Sequence, residues 1–327
     1  MLTATLRLLL LLFVCPAALC LSQSKAHAAD RPPRILASTF PMYQIVRNIT
    51  QGIDGVEVEL MIPAQMGCPH DYALTPQDMT KLARAEVLVI NGLGLEEFLG
   101  APVRKANPHL TLIDSSRGIA QILPYTEEKE GHGHASKTHG QPHGVHNDGH
   151  DGHHDANPHL FASPRMAALL TANIANALAQ VHPAGAAAYT ANAQTYGQRL
   201  TRLADELAEL GKRLHTNRIV TQHGVFDYLA RDMGLEVVAV VQAHAGQDPS
   251  ASEILRLVQT IKAKKAGAIF TEPQYPEAVG RTIAKEAAIA TARLDPAATG
   301  PEQAPLDYYE QVMRANLNTL EQTLGSH

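Results

Sequence analysis

AAAYTANAQTYGQRLTRLADELAELGKRLH, residues 186–215, is the stretch that decides the fold. Tyr196, Leu200, Leu203, Leu207, Leu210 and Leu214 step along it by four and three, a sustained apolar stripe on one face of a helix. At a rise of about 1.5 Å per residue such a helix spans on the order of 45 Å. That is long enough to run along two small lobes, and a helix is far stiffer than a Gly/Ser linker. The same stripe would also suit a core helix of the second lobe. Both readings put a cleft between lobes.

Strand-like apolar runs lie on either side of this helix. They occur at 35–38, 56–61, 87–91 and 110–114, and again at 218–222, 236–241, 268–271 and 290–294. Helical segments alternate with them at 43–50, 76–83, 252–266 and 275–287, and Ser163-Pro164 marks a further helix start. Strands alternating with helices imply βαβ units and parallel sheets. The expected fold is α/β, with two lobes, each a parallel β-sheet flanked by helices, joined by a long rigid linker helix. The expected division is a leader at 1–28, a first lobe at 29–185, the linker at 186–215 and a second lobe at 216–327.

The leader is read from Arg7, an apolar run at 8–21 broken by Pro16, and the small-x-small site Ala26-His27-Ala28. A basic start, a short apolar run and that site describe a secretory signal cleaved after Ala28, implying a periplasmic protein. The run is short and interrupted for a membrane span. A lipoprotein would instead be modified at Cys20, but Leu19 before it is not the small residue such signals carry. Cleavage removes Cys15 and Cys20, so Cys68 alone remains and no internal disulfide can form.

With 327 residues, 45% of them hydrophobic, the chain can bury a substantial core. A net charge of −5 with both signs dispersed argues against nucleic acid as a partner. The absence of Trp and the 5% aromatic content give no platform for stacking bases or sugars.

Residues 131–155 form a Gly-, His- and Asp-rich tract with almost nothing apolar. His132, His134, His139, His143, His146, His150, His153 and His154 lie within it. Imidazole is the commonest protein ligand for zinc and copper, but such a segment cannot bury enough surface to hold one conformation. It reads as a disordered loop that attracts metal weakly. A defined site must be sought elsewhere.

In open parallel sheets, ligands bind beyond the carboxyl ends of strands. His70 follows the second strand in PAQMGCPHDYALTP, His223 the fifth in TQHGVFDYLA, and Asp295 the last in RLDPAATG; His159 stands in NPHLF, before a helix. Three imidazoles and one carboxylate make a set suited to tetrahedral zinc. Each alone reads as a loop or turn residue; together they converge on the strand ends of two lobes. Cys68 is close enough to His70 to be a thiolate ligand, although four ligands already complete the set. Glu272 in FTEPQ ends a strand and could orient a liganding histidine. His109, His182, His215 and His244 read as surface or capping residues. No HExxH is present, and GLGLEE lacks the third glycine of a dinucleotide loop while placing Glu96 and Glu97 where pyrophosphate would sit. The sequence therefore predicts no enzyme.

PHDYALTPQDM, VLVINGLGLEEFL, NPHLF, DPSASEI, IFTEPQ and LDP, in this order, resemble the metal-binding solute-binding proteins of ABC importers, the cluster A-I family. The resemblance covers nearly all of the mature chain. It implies two α/β lobes on a long helix, an ion held in the cleft, and metal ligands at His70, His159, His223 and Asp295. Manganese-binding relatives usually place a carboxylate at the third position; His223, HDYAL and the histidine tract resemble the zinc-uptake, ZnuA-type branch. Cys68 departs from the family pattern. The expectation is a monomeric zinc carrier serving a membrane ABC permease, with a periplasmic zinc chaperone as a further partner. Manganese or iron as cargo, a periplasmic zinc buffer and, most remotely, a zinc hydrolase are the alternatives.

Overall fold

The computed structural model describes residues 31–67, 69, 72–125, 156–242 and 247–325. The leader, the histidine tract, Cys68, His70 and His244 therefore lie outside the described residues. Two four-stranded sheets are present, and every pairing in both is parallel. The first is built from β1 (Arg34–Ala37), β2 (Glu57–Leu60), β3 (Val87–Ile90) and β4 (Thr111–Asp114), in the order β2-β1-β3-β4. The second uses β5 (Arg218–Thr221), β6 (Glu236–Val240), β7 (Ala268–Thr271) and β8 (Ala290–Arg293), in the equivalent order β6-β5-β7-β8.

Alternation along the strands explains why both faces of each sheet are covered. Ile35 and Ala37 face the main core while Leu36 faces a separate cluster with Met61, Leu82 and Leu88. Ala268 and Phe270 likewise face the main core, and Ile269 packs outward with Leu257, Ile261 and Ile283. Period-two side chains of this kind are what a parallel sheet sandwiched between helices needs. The central strands are the most buried and the edge strands β2 and β8 carry exposed positions.

The helices are α1 (Phe40–Thr50), α2 (Pro76–Arg84), α3 (Gly100–Ala106), α4 (Pro164–Val181), α5 (Ala186–Gly211), α6 (Asp227–Met233), α7 (Ala251–Lys264), α8 (Ala278–Ala287) and α9 (Tyr308–Leu324). Their starts follow local chemistry. Thr75 and Asp78 cap α2 reciprocally, Ser250 and Glu253 do the same for α7, and the Ser163 hydroxyl accepts from Met166 N–H ahead of Pro164. Helix α5 stops at Gly211, short of the expected 215. A Cβ on Gly211 would run into the Met233 carbonyl, so the chain there lies against the end of α6. Tyr196, Leu200, Leu203, Leu207 and Leu210 are all buried, and Leu214 is half-buried beyond the helix. Helix α5 packs against α1 below the first sheet, against α4, and against α6 and α9 of the second half. The main core runs without a break from Val87 through α4 and α5 to Phe270 and Met313.

Helices α3, α6 and α9 were not among the expected elements. His182 is a capping residue: its backbone N–H donates to the Leu178 carbonyl at the end of α4, while its ring is buried and not at the surface, Nδ1 lying 2.9 Å from the Tyr189 hydroxyl. The ring fills space that Gly185 leaves open, since a Cβ there would collide with both rings. His109 and His215 are exposed, as expected.

Candidate metal centre

In each sheet the strand order reverses beside its first strand, between β1 and β3 and between β5 and β7. Such a reversal opens a crevice at the carboxyl ends of the strands. In the second lobe the crevice is lined by His223, just past β5, and Glu272, just past β7. In the first it is lined by Ser38 and Asn91, past β1 and β3.

His223 is fully buried in extended backbone and begins the turn Gly224–Phe226 that leads into α6. Its Nδ1 lies 2.6 Å from Glu272 Oε1, and the other carboxylate oxygen, Oε2, accepts from Gln274 Nε2 at 2.6 Å. Glu272, read from the sequence as a residue that could orient a liganding histidine, is thus in contact with His223. His159 is fully buried in the turn before α4, between the rings of Tyr125 and Phe161. Its Nδ1 lies 2.9 Å from Asn157 Oδ1. The His159 and His223 rings approach to 5.1 Å between centroids at 82°. Both imidazoles present Nδ1 to an oxygen acceptor, an arrangement that favours the proton on Nδ1.

Asp295 is placed by α9. Asn316 accepts from its backbone N–H at 2.9 Å and donates to its carbonyl at 2.7 Å, while Asp295 Oδ1 accepts from Ala297 N–H at 2.8 Å. Burial pushes the Asp295 carboxyl above its ordinary range, and the neighbouring Glu272 charge adds to this; the Ala297 N–H and Arg293 oppose it.

Of the described residues around His70, those before it, Ala64 and Gly67, meet this same wall, whereas Tyr72 after it packs within the first lobe. Lys81 Nζ holds the Leu60 and Met61 carbonyls where β2 ends, and Gly300 N–H donates to the Ala64 carbonyl at 3.1 Å. Gly67, at φ +78°, leaves room for only a methyl group before Gln274 and Thr299. On the other flank the Tyr72 hydroxyl donates to Asp78 at 2.8 Å, and its ring meets Phe98 edge-on. Ala64 and Gly67 are thus docked on the loop that follows Asp295.

Of the expected site residues, the structure brings together His159 and His223. Among the described residues no group of three or more His, Cys, Asp or Glu is placed to hold a metal ion, so Asp295 does not close a set with these two alone. Asn157 and Tyr228 went unnoticed in the sequence. Asn157, two residues before His159 in NPH, was the available signal.

Two parallel lobes on a shared helical core, with imidazoles converging from both sides of a crevice, define a metal-binding solute-binding architecture. Residues 35–323 match the family model described as "Zinc-uptake complex component A periplasmic", and the chain belongs to that family. It is 28% identical over 303 residues to the zinc-binding lipoprotein AdcA of Streptococcus pneumoniae, covering 92% of this chain and 57% of that one. The chain thus spans little more than half the length of this relative. It is 27% identical over 308 residues to the high-affinity zinc uptake system protein ZnuA of Bacillus subtilis, covering 93% and 92%. Among solved structures it is similar to the solute-binding protein FpvC of Pseudomonas aeruginosa in complex with Mn2+, with TM-score 0.72 and 30% identity over 90% and 98% of the two chains. A crystal structure of ZnuA matches with TM-score 0.71 and 26% identity over 90% and 100%.

Proposed function

We propose that this chain is a periplasmic solute-binding protein that captures Zn2+ in its cleft and delivers it to the membrane permease of an ABC importer. His70, His159, His223 and Asp295 are the assigned ligands. The observation that carries the reading is the pair His159 and His223, held 5.1 Å apart with Nδ1 of each engaged by an oxygen acceptor. Three imidazoles and a carboxylate suit zinc and fill its tetrahedral coordination. Four protein ligands leave no position for a substrate water, so the site carries an ion without performing chemistry on it.

Ligands that bind only the folded state stabilise it by mass action, roughly 4 kcal/mol at a thousand-fold excess over the dissociation constant. Thermal melting with and without zinc, on protein lacking residues 131–154, should show a large upward shift. His223→Ala should lose most of it; a variant that keeps the full shift would refute the assignment. A second cargo reading rests on FpvC, whose structures hold Mn2+ and Ni2+. Competition titration decides the metal: zinc displacing manganese at equal concentration is the expected result, since imidazole-rich sets favour zinc over manganese.

A further inference from the structure

Asn157 is fully buried at the base of the histidine tract. Its Nδ2 donates to the Gly224 carbonyl at 2.7 Å and to Asp227 Oδ2 at 3.0 Å. Its Oδ1 accepts from His159 N–H at 3.0 Å and faces His159 Nδ1 at 2.9 Å. This set of partners fixes the amide in one orientation. A flipped amide would point its oxygen at a carbonyl and a carboxylate, and its NH2 at a backbone donor. The backbone of Asn157 is fastened as firmly. Its N–H donates to the Leu123 carbonyl at 2.8 Å, and its own carbonyl accepts from the Tyr228 hydroxyl at 2.7 Å. The same hydroxyl accepts from Leu123 N–H at 3.1 Å, and Pro124 and Ala156 form an antiparallel bridge. The two described ends that flank the tract are therefore stapled to each other and to α6.

We infer that Asn157 is the positioning residue of the cleft. One amide sets the His159 imidazole with Nδ1 protonated and Nε2 toward the ion, and ties it through Gly224 to the turn that carries His223. The inference rests on the metal reading proposed above. Imidazole in water slightly favours the opposite tautomer, so an acceptor on Nδ1 is needed to turn the ring nitrogen outward; groups of this kind typically alter metal affinity about ten- to hundred-fold.

The test uses the full chain, metal-free, with 15N-labelled histidine, and reads the His159 tautomer by long-range 1H–15N correlation. Zinc affinity is measured alongside by competition with a chelator of known strength. The wild type should show His159 as the Nδ1–H form. Asn157→Ala should move His159 towards the Nε2–H form, leave His223 as it was because Glu272 still holds it, and weaken zinc binding about ten-fold or more. A variant that binds zinc more weakly with an unchanged His159 tautomer would make Asn157 merely structural and overturn the inference. So would unchanged affinity. If Asn157→Ala does not fold, the wild-type spectrum still decides: His159 in the Nε2–H form overturns the inference. A wild type without tight zinc would refute the cargo reading, whereas the tautomer is read without metal and reports on Asn157 alone.

Discussion

Glu96 lies at the carboxyl end of β3, where the rejected dinucleotide-like stretch GLGLEE places it. Its Oε1 accepts from the Ser38 hydroxyl at 2.7 Å and Asn91 N–H at 2.8 Å, and its Oε2 from Gly92 N–H at 3.2 Å. Burial nevertheless pushes its carboxyl up to about 7, with Asp114 adding to the shift and the three donors opposing it. A carboxyl whose folded value exceeds its unfolded one holds an extra proton in the folded state between the two. Its contribution is fully present below about pH 4.5 and is lost as pH rises through about 7. Over that window the wild type should lose about 3 kcal/mol from this group. Glu96→Gln cannot titrate, so its melting temperature should vary less between pH 4.5 and 7 than that of the wild type. Parallel pH–melting curves for the two proteins would show that the donors keep Glu96 ionised throughout. Through Asn91, whose Nδ2 donates to the Pro158 carbonyl at 2.8 Å, Glu96 also supports the chain immediately before His159.

At the scale of elements, α5 ties the two halves together, packing on α1 and α4 and on α6 and α9. Leu203 is fully buried on its stripe, and Leu203→Ala should cost about 2–5 kcal/mol, measured by denaturant unfolding. Arg199 on the same helix donates to Glu310 Oε1 of α9 and to Asn48 Oδ1 of α1, both at 2.8 Å, and lies over the Tyr196 ring. Helix α9 in turn reaches the site, its Tyr309 hydroxyl donating to the Phe161 carbonyl at 2.8 Å. The site is thus set by helices that do not line it. The histidine tract is a different kind of element, proposed to hold ions near the cleft without supplying its ligands. Its eight histidines are joined by the chain to His159, and short tethers of this kind give effective concentrations in the millimolar range. Calorimetry on a chain lacking 131–154 should show one tight zinc retained and the weaker ones gone. Loss of the tight site would mean that the tract supplies primary ligands.

For the whole molecule, metal capture joins the two lobes to the proton balance of the medium. Imidazoles must be neutral to ligate, and their ordinary value is near ~6.5. The Asp295 carboxyl is itself pushed upward by burial, so it also takes a proton more readily than an exposed aspartate does. Both effects have the same sign: zinc affinity should fall steeply below about pH 6, with more than one proton taken up per ion released. Chelator competition across pH 5–7 measures this, and a flat profile would point to ligation by other groups.

The alternation of strands and helices was legible in the sequence because side-chain periodicity is a local property, written within ten residues or so. Candidate ligands were legible for a related reason: parallel sheets gather ligands at strand ends, so reading past each strand located His223 and Asp295. Helix α9 was not among the expected elements, although Tyr309, Val312, Met313 and Leu320 stand at helical spacing and the structure buries all four. The tertiary structure alone decided how the two buried imidazoles are held. Asn157 is only two residues from His159, yet the direction its amide faces is set by Gly224 and Asp227, 67 and 70 residues further along. Glu272 meets His223 across 49 residues because β5 and β7 are neighbours in the sheet. The burial of the capping residue His182 was hidden for the same reason, since it depends on how α4 turns into α5 over Gly185. Residue types and their periods follow from the chain, whereas the partner of a buried polar atom follows from which segments packing brings to it.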